Sequence, residues 1–166
     1  EDTSPENLRK FLESDDPALV VMGLSMAKGS EVSEEFLPII LKMYMWNEDN
    51  TIRAAAKSAF MKLAPDELKE ILKKNWKSNY RTNKIKSLNA IRPIVQVWKS
   101  QEFNDIVWER VEPLVKTAMK KGLQSEKNWD KKEEAVRALG MINNSRVVKP
   151  LIKALEDNIT VYRAWG

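Results

Sequence analysis

Apolar residues recur at helical spacing along most of the chain. From Thr51 onward, Ile52, Ala55, Ala56, Ala59, Phe60 and Leu63 fall at i, i+3, i+4, i+7, i+8 and i+11, which is one face of an amphipathic helix. Asn50 is placed to cap its first amides, and Pro65 follows Ala64 where the helix should stop. That proline suits the first turn of another helix, with Leu68, Ile71, Leu72 and Trp76 along one side. The same unit precedes this one. Asp16-Pro17 opens a helix whose Leu19, Val20, Met22, Leu24, Met26 and Ala27 are apolar on nearly every side, so the pattern predicts burial between neighbours. After a turn at Gly29-Ser30, Ser33 caps a second helix carrying Phe36, Ile39, Ile40, Met43 and Tyr44. Upstream, Pro5 to Glu13 after Ser4 reads as the second half of a preceding unit. Downstream, Ala135, Ala138, Leu139 and Ile142 mark one helix and Val148, Leu151, Ile152 and Leu155 another, with Asn143-Asn144-Ser145 between them.

Successive first helices open at Asp16, Asn50, Asn83, Asp130 and Asn158, at intervals of 34, 33, 47 and 28 residues. Two helices per unit of about this length, with no strand pattern, predict an α-solenoid whose third unit is enlarged. The strings Pro38-Ile39-Ile40, Pro113-Leu114-Val115 and Pro150-Leu151-Ile152 recur at matching distances and are expected early in second helices. Residues 158–166 read as the opening of one more first helix, with Arg163-Ala164 echoing Arg53-Ala54. A solenoid end needs a polar cap, so the pattern predicts one repeat domain over 1–166 that is a piece of a longer array. Its units run over 16–49, 50–82, 83–129 and 130–157, with a partial one over 158–166.

Ala135-Val136-Arg137-Ala138-Leu139-Gly140, Asn144-Ser145 and Val147 through Asp157 resemble the HEAT repeat, in particular its short phycobilisome-lyase-like form. Thr51-Ile52-Arg53-Ala54-Ala55-Ala56 is similar to the start of the same repeat, with Arg53 where the family usually has an arginine. The likeness is strong over 130–157, looser over 16–76, and lapses over 77–129. The tetratricopeptide pattern of Trp, Leu-Gly and Tyr is absent from every unit, and no third short helix of the armadillo kind is evident. The resemblance implies an all-α, right-handed superhelix of about four helix pairs with partial units at both ends. It also implies that second helices line a concave face, so their outward residues form the partner surface. These are Glu34, Glu35 and Lys42, then Lys69, Lys73 and Lys77, then Glu109, Glu112, Lys116 and Lys120.

Composition narrows the chemistry. The 166 residues include no His and no Cys, which removes the commonest general base, the commonest metal ligand and any thiolate chemistry. Paired acids such as Asp15-Asp16, Glu34-Glu35, Glu48-Asp49 and Glu133-Glu134 read as caps and first-turn acids, and there is no Gly-rich phosphate loop. HEAT-like DNA glycosylases pair a carboxylate with aromatic residues, but no stretch here matches their pattern. The expectation is a non-catalytic protein with no cofactor and no metal, acting as an interaction scaffold for a protein partner. No apolar run approaches the ~20 residues of a membrane span and no signal peptide is visible, so an intracellular, cytoplasmic place is expected.

Charge adds one local feature. The net charge is +4, but residues 1–68 carry −6, residues 69–99 carry +8 and residues 100–166 carry +2. Within the basic stretch, Lys73, Lys74, Lys77, Arg81, Lys84 and Lys86 surround Trp76 and Tyr80. Cations with interleaved aromatics are the pattern of a nucleic-acid contact, phosphates on the lysines and a base on a ring, which makes a nucleic-acid module the alternative function. The plainer reading buries Trp76, plugs the turn with Tyr80 and leaves the lysines as a solvated ridge with Lys69, Lys73 and Lys77 in one stripe. Of the six tryptophans, Trp46, Trp76 and Trp98 fall near helix ends, while Trp129, in a polar loop, is the one expected to be exposed for binding.

Overall fold

The structure, a computed structural model, describes residues 4–31, 34–120, 149 and 152. Among the described residues every regular element is helical. The chain divides into two compact units, Glu1–Arg81 and Thr82–Gly166.

The first unit contains α1 (Pro5–Leu12), α2 (Pro17–Lys28), α3 (Leu37–Trp46), α4 (Asn50–Leu63) and α5 (Asp66–Asn75). The starts of α1, α2 and α4 are capped by side chains, while those of α3 and α5 are not. Ser4 accepts the Asn7 amide at 3.4 Å, and Asp16 accepts that of Ala18 at 3.0 Å, each just ahead of a proline that needs no N–H partner. The cap of α4 is Asp49 rather than Asn50: its carboxylate accepts the amides of Thr51 at 2.7 Å and Ile52 at 3.1 Å. Asn50 instead stands in the first turn, where its side-chain oxygen accepts a hydrogen bond from Arg53. Ser33, the expected cap of α3, lies outside the described residues; a 3-10 turn over Glu34–Phe36 leads into that helix.

The core of this unit centres on α4, which packs against both α2 and α3, while α1 packs against α2. Ile52, Ala56, Ala59 and Phe60 are buried as their spacing predicts, whereas Ala55 and Leu63 are only half-buried. Ala56 and Ala59 are small enough for neighbouring helices to lie close. The burial between neighbours expected of α2 is found instead on α3. In α3, Leu37, Pro38, Ile40, Leu41, Met43, Met45 and Trp46 are all buried, so this helix is covered on nearly every side. In α2 only Val20, Gly23, Leu24 and Ala27 are buried, and Leu19 and Met22 are 36% and 47% exposed. The neighbours of α2 are α1 and α4, and the face bearing Leu19 and Met22 turns away from both.

The connection between α3 and α4 is held by polar side chains. Asn47 Oδ1 accepts the Asp49 amide at 2.9 Å, and the Arg53 guanidinium donates to the Asn47 carbonyl at 2.6 Å. Lys28 at the end of α2 donates to Ser58 on α4 at 2.5 Å.

In the second unit, α6 (Lys84–Val97) packs against α7 (Gln101–Lys120). Asn83 caps α6 by accepting the Lys86 amide at 3.0 Å, and Ser100 accepts the Phe103 amide at 3.2 Å. Ala90, Ile91, Ile94 and Val95 meet Phe103, Ile106, Val107 and Trp108 in its core. Trp98 stacks on Phe103, ring centroids 5.1 Å apart. The enlarged third interval has a partial source here, since α7 runs for 20 residues. Pro113 therefore stands well inside α7 and not early in a second helix, whereas Pro38 is in the first turn of α3 as expected. Pro150 lies outside the described residues.

Candidate interaction surface

The basic segment begins on α5. Leu68 and Leu72 are buried and Ile71 is half-buried, so Lys73 and Lys74 are left exposed on the outward side of this helix, while Lys69 is half-buried. Lys69 pairs with Asp66 at 3.1 Å, and Lys73 with Glu70 at 3.5 Å, both one turn apart along the helix. The helix ends at Asn75, whose side-chain amide donates to the Ile71 carbonyl at 2.8 Å, and the backbone turns extended at Trp76. The stripe expected of Lys69, Lys73 and Lys77 is therefore broken. Lys77 lies beyond the last turn, where the periodicity of the helix no longer sets its direction.

Trp76 is 7% exposed. Its amide donates to the Leu72 carbonyl at 2.9 Å, and its ring meets Tyr80 edge to face at 6.0 Å. Tyr80, half-buried, is placed by a 3-10 turn over Ser78–Thr82 in which its amide donates to the Lys77 carbonyl. Burial thus takes from Trp76 the stacking role that the sequence pattern offered it. Lys74 and Lys77 are exposed and Arg81 is half-buried. Lys84 and Lys86 belong to the second unit, at the start of α6, where Lys86 is exposed. Trp129 lies outside the described residues. The structure accordingly brings Lys69, Lys73, Lys74, Trp76, Lys77, Tyr80 and Arg81 onto α5 and the turn that follows it.

Of the other residues expected on the partner surface, Glu34, Glu35, Lys42 and Glu109 are exposed and Glu112 is half-buried. Of Lys116 and Lys120 only the helical backbone is described. Tyr44, half-buried on α3, has its hydroxyl pKa raised above the ordinary 10.0 by loss of solvent, with the Lys57 ammonium 6.0 Å from its ring centre. Among the described residues no cluster of acids is placed to hold a metal ion, and no helix is long and apolar enough to cross a membrane. Asp16 and Asp49 are engaged as helix caps, as the sequence suggests for such acids.

Two features escaped the sequence. The exposed pair Leu19 and Met22 was signalled only by an α2 apolar on too many sides, which does not say which side is left uncovered. The bond from Arg53 to the Asn47 carbonyl had no local signal beyond an arginine in a first turn, because its acceptor lies in the connection that precedes α4.

Residues 131–157 match the family model described as PBS lyase HEAT-like repeat. The match supports a HEAT-like repeat family, on the stretch whose residues carried the resemblance. Neither the curated proteins nor the solved structures contain a match to the chain.

Proposed function

We propose that this chain is a non-catalytic interaction segment: a right-handed superhelix of HEAT-like helix pairs that binds a protein partner across the outward faces of its second helices. HEAT-like repeats commonly serve as protein-interaction scaffolds. The observation that carries the reading is α3, buried on nearly every side yet bearing Lys42 exposed, with Glu34 and Glu35 exposed on the 3-10 turn that leads into it. Such a helix is held rigidly, so its charged edge is preformed and loses little freedom on association. The partner surface continues to Lys69 and Lys73 on α5. Of the sequence-level signals for a nucleic-acid module, the cations stand, while Trp76 is turned inward.

Two experiments test the proposal. In small-angle X-ray scattering, a compact chain of this length has a radius of gyration of about 15 Å. The superhelix requires a clearly larger value, and a compact one refutes it. A photo-crosslinking amino acid at position 35, 42 or 73 should then give discrete adducts with a partner in native extract, and one at position 57 should not. Equal labelling from all four positions, or none, counts against the reading.

A further inference from the structure

We propose that the end of α5 and the turn behind it dock an acidic segment of the partner protein, an assignment that rests on the protein-binding reading above. Lys73, Lys74 and Lys77 are exposed, and among the described residues Lys74 and Lys77 form no ion pair. Lys73 faces Glu70 at 3.5 Å with both side chains more than half exposed, a screened contact that an incoming carboxylate displaces at little cost. Two helical rises and two extended residues put the backbones of Lys73 and Lys77 within roughly 10 Å of each other, about one Debye length, with Lys74 between them. They act on a ligand as one field. Ser78 and Asn79, both exposed, place neutral donors beside them.

The rest of the first unit decides where such a ligand can sit. Residues 1–68 carry −6 and residues 69–81 carry +4, so the net charge of the first unit favours an acidic segment at this end, although α4 bears Arg53, Lys57 and Lys62 and no acid. The aromatic residues decide which class of polyanion fits. Sequence-tolerant binding of single-stranded nucleic acid needs ring faces on which bases stack, and here Trp76 is buried with its ring against Tyr80. What remains is a set of mobile ammonium groups and small polar donors, which suits Asp and Glu side chains on an extended peptide. If the lysines served only the negative end of the α5 dipole, their loss would lower stability and leave binding untouched.

The test uses the full chain and a fluorescein-labelled peptide of alternating Glu and Ser residues, read by fluorescence anisotropy at low and at physiological salt. The double reversal Lys74→Glu with Lys77→Glu should weaken binding by about tenfold or more, and raised salt should weaken binding to the parent steeply. The charge-matched pair Lys10→Glu with Lys62→Glu, at exposed positions of α1 and α4, should change it by less than about twofold. The neutral pair Lys74→Gln with Lys77→Gln should fall between, which keeps the test decisive if the reversal disturbs folding. Absence of binding at low salt overturns the proposal. So do equal losses in the control, and so does displacement of the peptide by a single-stranded oligonucleotide of equal charge at lower concentration. If the peptide test fails while crosslinks from positions 35 and 42 persist, the acidic-segment assignment falls and the wider reading stands; loss of those crosslinks with peptide binding intact gives the reverse.

Discussion

Replacing Gly23 by Ala puts a methyl group where α1 already stands. An ideal Cβ at position 23 lies 2.7 Å from Phe11 Cβ and 3.3 Å from Leu12 Cδ2. Phe11 Cβ is carried rigidly on the backbone of α1, so relief requires the two helices to part, not a side chain to swing aside. Overpacking of this kind costs about 1–3 kcal/mol, and the better helix propensity of Ala returns roughly 1 kcal/mol. The net expectation for Gly23→Ala is a loss of about 1 kcal/mol. Gly29→Ala makes the same chemical change at the end of the same helix, with the opposite expected sign. Gly29 has φ −85° and ψ −3°, which Ala adopts freely, and its nearest neighbour is a carbonyl at 3.5 Å. That substitution should stabilise by about 0.4–1 kcal/mol, because the unfolded chain loses freedom and nothing collides. Urea titration followed by far-UV circular dichroism measures both, a change of 1 kcal/mol moving the midpoint by about half a molar. Amide exchange on α1 and α2 then locates the effect even if the two units open separately. The reasoning fails if Gly23→Ala matches or exceeds the parent midpoint with α1 protection unchanged, or if Gly29→Ala loses stability.

Phe60→Ala should cost about 3–5 kcal/mol in the same titration, since the ring is fully buried on the helix that touches both α2 and α3. Leu19→Gln and Met22→Gln should each stay within about 0.5 kcal/mol of the parent, while Leu24→Ala on the same helix loses about 2–5 kcal/mol; equal effects would contradict the uncovered face of α2. Asp49→Ala should destabilise by about 0.5–2 kcal/mol through loss of the cap, with Asp49→Asn retaining most of the stability. At alkaline pH, Tyr44 ionises later in the folded chain than in the unfolded one. Its contribution is thus complete below the unfolded value of 10.0 and is lost as pH rises through the higher folded value. Tyr44→Phe should flatten that part of the pH–stability curve.

The helical elements were legible because their causes are local. Ser4, Asp16 and Asn83 cap the helices they precede, Pro17 and Pro38 stand in first turns, and the buried face of α4 follows its 3.6-residue spacing. The cap of α4 shifted by one residue because two adjacent polar side chains compete for the same amides, and the carboxylate of Asp49 took them while Asn50 met Arg53. The candidate surface was readable as a charge pattern and misread as a stripe. Helical periodicity carries Lys77 into line with Lys69 and Lys73 only as long as the helix lasts, and Trp76 ends it by turning inward against Tyr80.

What the sequence by itself determined is the succession of helices and the HEAT-like pattern over 131–157, because caps, prolines and apolar spacing act within one turn of the residues that bear them. What only the tertiary structure decided is which apolar helix is covered. Both α2 and α3 are greasy enough for a core; α3 is covered on nearly every side, whereas Leu19 and Met22 on α2 stay in water. Burial depends on which neighbours arrive, and hydrophobicity has no direction of its own to say so.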